Sequence, residues 1–285
     1  MGDYGGLAWE DIASLVPATD EYAWKLYESD PLRRPYIHAA IRELQLPGGS
    51  RGLDAGCGIG LQTMLLAEAV GPDGHVAGLD ISRQFLEYAK KIAQKAGYAQ
   101  RIGFKEGDIY DLPFEDGVFD WIWSADCAGY QTRKPLLLVK ELARVVKPGG
   151  IVAILVWSSQ QLLPGYPRLE AHLNATTAGV APFTGDMKPE THYMRALSWF
   201  QSTGLEQSLA RTFVGEFQAP LDAAVRQALL ALIEMRWPDM RSELAPEEGD
   251  LFERLCNPAS PDFILDVAGY YAFFTETLFY GRVPA

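Results

Sequence analysis

Cysteine is scarce in this sequence. Cys57, Cys127 and Cys256 stand far apart, and no CxxC pair occurs. That spacing supports neither a zinc site nor a disulfide framework, so no metal is expected and a reduced, cytoplasmic setting fits best. No run of about 18 apolar residues exists, so no membrane span is expected. The opening residues MGDYGGLAWEDIASLVPATDEYAW hold no basic stretch and no apolar core, which predicts no signal peptide. Position 6 is Gly6, where a myristoylation signal wants Ser or Thr. Runs of Lys or Arg are missing too, and 37 Asp+Glu outnumber 25 Lys+Arg for a net charge of −12. Such a surface repels phosphate backbones, so nucleic acid is not expected as a partner. Internal repeats and low-complexity segments are absent. What is present is 48% hydrophobic and 22% charged residues, which excludes disorder, collagen and coiled coil as the dominant state. The 285 residues correspond to about two domains or one large α/β domain with insertions. A chain of that length buries on the order of 70–75% of its unfolded surface without staples.

From Arg51 to Trp157 strand-like and helix-like runs alternate, the pattern of βαβ units and a parallel sheet. Strands are expected at about Arg51–Ala55, His75–Leu79, Arg101–Glu106, Phe119–Trp123 and Ile151–Trp157. Helices are expected at about Leu61–Val70, from Ser82 as N-cap to a stop at Gly97, and at about Arg133–Val146. Lys147-Pro148-Gly149-Gly150 is a turn signal before the last of these strands. Beyond Trp157 the alternation breaks into a segment rich in Pro and Gly, with one short helix near Arg168–Thr177. A helix at about Thr191–Gln201, a strand at about Ser208–Phe217, helices at Leu221–Met240 and Pro246–Cys256 and a last strand at Ala272–Val283 complete the expectation. The division is an N-terminal helical lid segment over 1–46, a ligand-binding core over 47–157, and an inserted lid over 158–190. The core continues over 191–220, a helical insertion covers 221–260, and the last core strand lies in 261–285.

The sharpest site signal is Leu53-Asp54-Ala55-Gly56-Cys57-Gly58-Ile59-Gly60. Glycines after a first strand let a ligand approach the backbone closely. Asp80 ends the next strand about 20 residues past Gly60, a spacing that suits a carboxylate accepting from ribose hydroxyls. The dinucleotide fingerprint G-x-G-x-x-G is not met, because its third glycine position holds Leu61. Asp54, two residues before the first glycine, repels a pyrophosphate and attracts a cationic amino-acid group. Both departures point to a nucleoside with a positive end and no phosphate, a description that S-adenosyl-L-methionine meets. The plainer alternative is a glycine turn that only packs a helix close to a strand; Asp80 at the right distance argues against it.

These residues carry a family resemblance. The stretch Asp54–Gly60, Gly78-Leu79-Asp80-Ile81-Ser82, Gly107-Asp108-Ile109, Leu112-Pro113-Phe114, Phe119-Asp120 and Lys147–Gly150 resembles a class I S-adenosylmethionine-dependent methyltransferase. It is most like the type 11 group, which is similar to the ubiquinone/menaquinone biosynthesis C-methyltransferases. Coverage is about residues 48–157, and the motifs are specific for the cofactor, not for the acceptor. The resemblance implies a Rossmann-like, doubly wound, mainly parallel sheet with a final antiparallel strand and helical lid insertions. It also implies that Gly56, Cys57 and Gly58 cradle the methionine part and that Asp54 orients its ammonium. Asp80 is expected on the ribose, Ile81 against the adenine, and Asp108 on the adenine amino group. Gly107 lies beside it, and Ile109 offers a backbone donor. Ser124 is placed near the methionine end, and Gln62 near its carboxylate. Asp108 as a turn cap and Ser124 as a satisfied strand-end hydroxyl remain the alternatives.

Methyl transfer is an in-line displacement at a carbon that the sulfonium has already activated, so alignment and exclusion of water are the main demands. A general base is needed only where the nucleophile loses a proton in the transfer step. Candidate bases or acceptor contacts are Asp126, Tyr130, His38, His172 and His192. Cys127 reads more readily as a small buried hydrophobe. The aromatic segment with Tyr22, Trp24, Tyr27 and Tyr36 either faces the sulfonium through cation–π attraction or packs as an ordinary amphipathic helix. The C-terminal cluster from Tyr270 to Tyr280 reads as strand core. The expected activity is methyl transfer from S-adenosyl-L-methionine to a small organic acceptor. A noncatalytic cofactor-binding or scaffold protein is the alternative, and an NAD-dependent oxidoreductase a third reading. The sequence leaves the acceptor and the oligomeric state open.

Overall fold

Successive side chains of a strand point to opposite faces of a sheet, and a strand covered on both faces is apolar at nearly every position. The run Ile151–Val156 has that character. A computed structural model describes residues 4, 7–128, 130, 134–181, 183, 185, 187–238 and 240–285. In chain order the elements begin with α1 (Trp9–Ala13), α2 (Glu21–Glu43), β1 (Arg51–Ala55), α3 (Leu61–Ala69), β2 (His75–Asp80) and α4 (Arg83–Lys95). They continue with β3 (Ile102–Glu106), β4 (Phe119–Ala125), α5 (Pro135–Arg144), β5 (Val146–Gln161), α6 (Pro167–Ala175) and α7 (Thr177–Val180). The last are α8 (Ala196–Ser202), β6 (Glu206–Gln218), α9 (Ala223–Arg236), α10 (Pro246–Cys256) and β7 (Tyr271–Arg282).

The strands form one seven-stranded sheet in the order β3-β2-β1-β4-β5-β7-β6. β1 to β5 are parallel, and β7 lies antiparallel between β5 and β6. The strand order reverses between β1 and β4, and in open sheets of this kind ligands bind beyond the strand ends at that point. Ile151, Ala153 and Leu155 of β5 pack with α2, α3 and α4 on one face. Val152, Ile154 and Val156 pack with α5 and α8 on the other. A third apolar cluster joins α6, α9 and α10 to Leu32 of α2 and Phe274 of β7.

Local chemistry explains the ends of the helices. The Ser82 hydroxyl accepts from Phe85 N–H at 3.3 Å and caps α4 as expected. Asp20 and Asp222 cap α2 and α9 in the same way. Pro31 and Pro35 lie inside α2, where each removes one hydrogen bond from the helical ladder.

Several expected boundaries move. Lys147–Gly150 is not a turn ahead of the strand: β5 begins at Val146, and its pairing with β4 jumps from Val146 to Ile151, so the four residues bulge out of the ladder. Gly149 N–H donates to Val283 O at 2.8 Å, which ties the bulge to the C-terminal end of β7. Residues 158–161, expected in a lid, continue β5, and 159–161 pair with Phe273–Thr275. β4 reaches Ala125, so Ser124 lies within the strand instead of after it. The helix expected from Thr191 becomes two short 3-10 turns followed by α8. Arg133, the expected start of α5, falls outside the described residues. Among the described residues no helix is long and apolar enough to cross a membrane.

Gly52 of β1 faces the fully buried Trp121, whose Nε1 donates to Ser50 Oγ at 2.9 Å. A Cβ at position 52 would overlap the indole. Gly52→Ala is therefore expected to lower the unfolding free energy by about 1–3 kcal/mol in urea titration. An unchanged midpoint would show that the indole has room to move.

Candidate functional site

A cavity of about 510 Å³ opens at the strand-order reversal, floored by the β1–α3 turn and roofed by α2. Gly56 and Gly58 lie at φ +84° and +52°, the left-handed region that suits glycine. A Cβ at Gly56 would run into the side chain of Cys127, and one at Gly58 would stand 3.4 Å from Leu26 of the roof. The turn is pinned to β2, because Gly56 N–H and Cys57 N–H both donate to Leu79 O, at 2.7 and 2.9 Å. Asp80 is fixed by two backbone donors: Gly58 N–H to Oδ2 and Ser82 N–H to Oδ1, each 2.8 Å. Each carboxylate oxygen keeps a second lone pair for a ligand hydroxyl.

Asp54 borders the same cavity and is 2% exposed. Its Oδ2 accepts from the Thr63 hydroxyl at 2.6 Å. Burial pushes its carboxyl up to about 7, against the Thr63 hydrogen bond, and the nearby Asp80 adds to the shift. Gln62 accepts from Trp123 Nε1 at 2.9 Å through Oε1, so its amide N–H groups remain as the donor end beside the cavity. At the opposite rim Ile81 is 74% exposed, an apolar side chain without a cover. Asp108 and Ile109 line that rim, and Asp108 Oδ1 accepts from Tyr110 N–H at 2.9 Å.

Two expected residues stand apart. Ser124 is fully buried and does not line the cavity; its hydroxyl donates to Ala55 O at 2.7 Å and accepts from Ala128 N–H at 3.1 Å. It locks the ends of β1 and β4 together. Gly107 also lies off the cavity, where a Cβ would crowd Leu79 and Pro113.

Past the turn, Asp126 and Tyr130 line the other end of the cavity. Asp126 holds φ +47°, and both of its oxygens are engaged. Oδ2 pairs with Arg33 of α2, and Oδ1 accepts from Trp157 N–H at 2.9 Å. The same guanidinium donates through Nε to Glu276 Oε1 at 2.7 Å. Glu276 is fully buried in β7, and its Oε2 has no hydrogen-bond partner among the described residues. Burial pushes its carboxyl up, with Arg33 opposing. Burial alone would lower the Arg33 pKa, but Asp126 and Glu276 outweigh it and raise it. Tyr130 donates to Trp157 O at 3.3 Å, and burial raises its phenol well above the ordinary range. Burial raises the Cys57 and Cys127 thiols too, the latter to about 12, which keeps both unreactive.

The histidines do not join them. His38 does not border the cavity. His172 pairs with Glu248 at 2.7 Å in a separate groove. His192 lies between Phe183 and Tyr193, with ring centroids at 4.8 and 4.3 Å. Of the N-terminal aromatics, Tyr22 faces the cavity. Tyr27 stacks on Trp9 at 4.0 Å with Trp24 beside it, and Tyr36 meets Phe274 edge-on at 5.4 Å. In the C-terminal aromatic cluster Tyr270, Phe274 and Phe279 are core, while Tyr271 is exposed. Asp30, Arg33 and Glu276 are the functional candidates that the sequence reading missed. Glu276 did leave a signal, since an acid stands at an inward position of an otherwise apolar alternation.

A family model described as "Methyltransferase domain" matches residues 47–202. The demethylmenaquinone methyltransferase of Staphylococcus aureus strain JH9 is 36% identical over 134 residues, 46% of this chain and 52% of that protein. The chain thus spans about half the length of the curated relatives it matches. Among solved structures, a putative methyltransferase from Bacillus halodurans C-125 superposes with TM-score 0.54 and 17% identity, over 87% of this chain and 99% of that one. Phosphoethanolamine N-methyltransferase 2 of Haemonchus contortus, in complex with S-adenosyl-L-methionine, gives TM-score 0.56 and 17% identity, over 99% and 61%. Those two likenesses show the shared fold.

The buried acids set a pH dependence of stability. Asp54 and Asp30, pushed up to about 7 and about 6 by burial, hold protons in the folded chain that an unfolded carboxyl gives up near pH 4. The stability they contribute is complete below about pH 4 and is lost as pH rises through 6 and 7. Asp120 and Glu141, held low by Lys147 and Arg144, oppose it on the acid side. The thermal midpoint is expected to be higher at pH 5.5 than at pH 8, with a shallower fall in Asp54→Asn. A midpoint that rises over that interval would contradict the assignment.

Proposed function

The chain belongs to the methyltransferase domain family, and from that premise we propose that it transfers the methyl group of S-adenosyl-L-methionine to a small organic acceptor. The observation that carries this reading is the glycine turn flanked by Asp54 and Asp80 in one cavity. The residues present fit that cofactor. Arg33 is the only cationic side chain lining the cavity among the described residues, and two carboxylates already hold it. A diphosphate finds no counter-charge there, whereas an ammonium finds Asp54. When bound, the cofactor supplies a methyl group activated by its sulfonium.

The chain's own residues then bind and align. Asp80 accepts from the ribose hydroxyls, with its orientation fixed by Gly58 and Ser82. Ile81 lies against the adenine, and Asp108 and Ile109 offer an acceptor and a backbone donor to the ring edge. Gly56, Cys57 and Gly58 give the methionine part a surface free of bulky side chains, and Asp54 and Gln62 take its ammonium and carboxylate. Tyr22, on the roof, lies where it shields the reacting carbon from water. The acidic balance of the whole chain favours a small acceptor over nucleic acid, and scarce, unpaired cysteines fit a reducing cytoplasm.

Calorimetric titration with S-adenosyl-L-methionine tests the reading. Asp80→Ala is expected to weaken binding by about 1–3 kcal/mol, because the acceptor for two hydroxyls is lost. An undiminished affinity removes Asp80 from the ribose. Gly58→Val should abolish binding, and full affinity there would show that the turn is not the cradle. Tight cofactor binding with no turnover across a broad acceptor panel would make the chain a binding protein instead of an enzyme.

A further inference from the structure

The end of the cavity away from Ile81 holds a particular set of groups. Asp30 and Arg33 descend from α2, one helical turn apart, and Asp126 and Tyr130 rise from the segment after β4. Tyr22 lines the same cavity from the start of α2, its ring stacked on Phe85 of α4 at 5.9 Å. None of these groups is a free base. Asp126 spends both oxygens on Arg33 and Trp157 N–H. Asp30 receives the Tyr4 hydroxyl at 2.8 Å on each oxygen. The Tyr130 hydroxyl is turned to Trp157 O, and no histidine borders the cavity. Among the described residues lining this end, an acceptor that must lose a proton during transfer, such as a phenol or an activated carbon, meets no unpartnered base. Charge points the same way. Among the described residues Arg33 stands between two carboxylates, Asp126 and Glu276, with Asp30 on the same helix face and Arg34 beside Asp30, so acids outnumber cations and a carboxylate or phosphate on the acceptor meets net repulsion.

Resting on the methyltransferase reading above, we propose that the acceptor is an amine without an anionic group, methylated at nitrogen, with Asp30, Asp126 and the faces of Tyr22 and Tyr130 stabilising the charge that develops there. The amine enters as the free base, leaving any proton with bulk water. Its lone pair forms the N–CH3 bond as the C–S pair returns to sulfur. The positive charge passes from sulfur to nitrogen, and no proton moves in that step. Carboxylates held in place before the reaction favour that shift because they need no reorganisation. Aromatic faces add cation–π attraction.

The test uses the full chain saturated with S-adenosylhomocysteine, whose neutral sulfur leaves the cationic position to the probe. Benzylamine, benzyl alcohol and benzoate are titrated calorimetrically at pH 8. Benzylamine is expected to bind at least tenfold more tightly than either of the others, and Asp30→Asn to weaken benzylamine more than benzyl alcohol. If Asp30→Asn does not fold, Tyr22→Leu serves instead, with the same selective loss expected from removal of the aromatic face. Benzoate binding as tightly as benzylamine, no preference among the three, or no binding of any of them overturns the amine assignment while leaving the cofactor reading intact. Failure of S-adenosylhomocysteine itself to bind overturns the cofactor reading.

Discussion

Carboxylates outnumber cations in the cavity, and much else in the structure answers to that imbalance. Asp30, Asp54, Asp80, Asp108 and Asp126 line it, against the single guanidinium of Arg33 among the described residues. Like charges held close together and partly buried are costly unless they are protonated, hydrogen-bonded or paired. Asp108 stays exposed to water with Tyr110 N–H on its Oδ1, and the other four each use one of these solutions. Asp54 and Asp30 are pushed toward the protonated form, Asp80 takes two backbone N–H groups, and Asp126 takes Arg33. Among the described residues no second cation lines the cavity, and a ligand with a positive end completes the set.

The fold puts these groups together with short-range devices. Parallel β1, β2 and β4 deliver Asp54, Asp80 and Asp126 at or just past their carboxyl ends, at the point where the strand order reverses. Left-handed glycines keep the floor bare. The roof is one helix interrupted by two prolines, and between them Arg33 reaches down to Asp126 and across to Glu276 of β7. That contact ties the last strand of the sheet, far away in sequence, to the cavity. Removing one member of such a buried cluster leaves its partners uncompensated, typically at a cost of about 3–5 kcal/mol. The roof and the Asp126 end of the cavity are therefore held by the same interaction.

Much of this was legible in the residues. The glycine turn, Asp80, the Ser82 cap and the alternation through Trp157 depend on chemistry within a few positions, and local patterns reveal it. The final strand was legible as well, from its aromatic and Thr-rich run, and its antiparallel direction from the family resemblance. Other features depend on contacts between distant segments. Lys147–Gly150 has the composition of a turn, but the strand begins before it at Val146, and the four residues bulge out of the ladder, tied through Gly149 and Gly150 to Val283 just past β7. Residues 158–161 look like the start of an insertion until Phe273–Thr275 pair with 159–161. The resemblance places Ser124 near the methionine end, yet the strand continues through it and the ends of β1 and β4 use up its hydroxyl. Arg33 and Glu276 lie 243 positions apart in the chain, so no local pattern joins them.

The central claim is that the buried Asp54, its carboxyl pushed up to about 7 by burial, ionises to receive a cationic ligand end. Counting protons released on binding tests this most directly. S-adenosyl-L-methionine is titrated calorimetrically at pH 6.5 in two buffers of different ionisation enthalpy. The account predicts net release of a substantial fraction of one proton per ligand, shrinking toward zero by pH 8.5 and lost in Asp54→Asn. Binding with no proton release at pH 6.5, or with uptake, would contradict it.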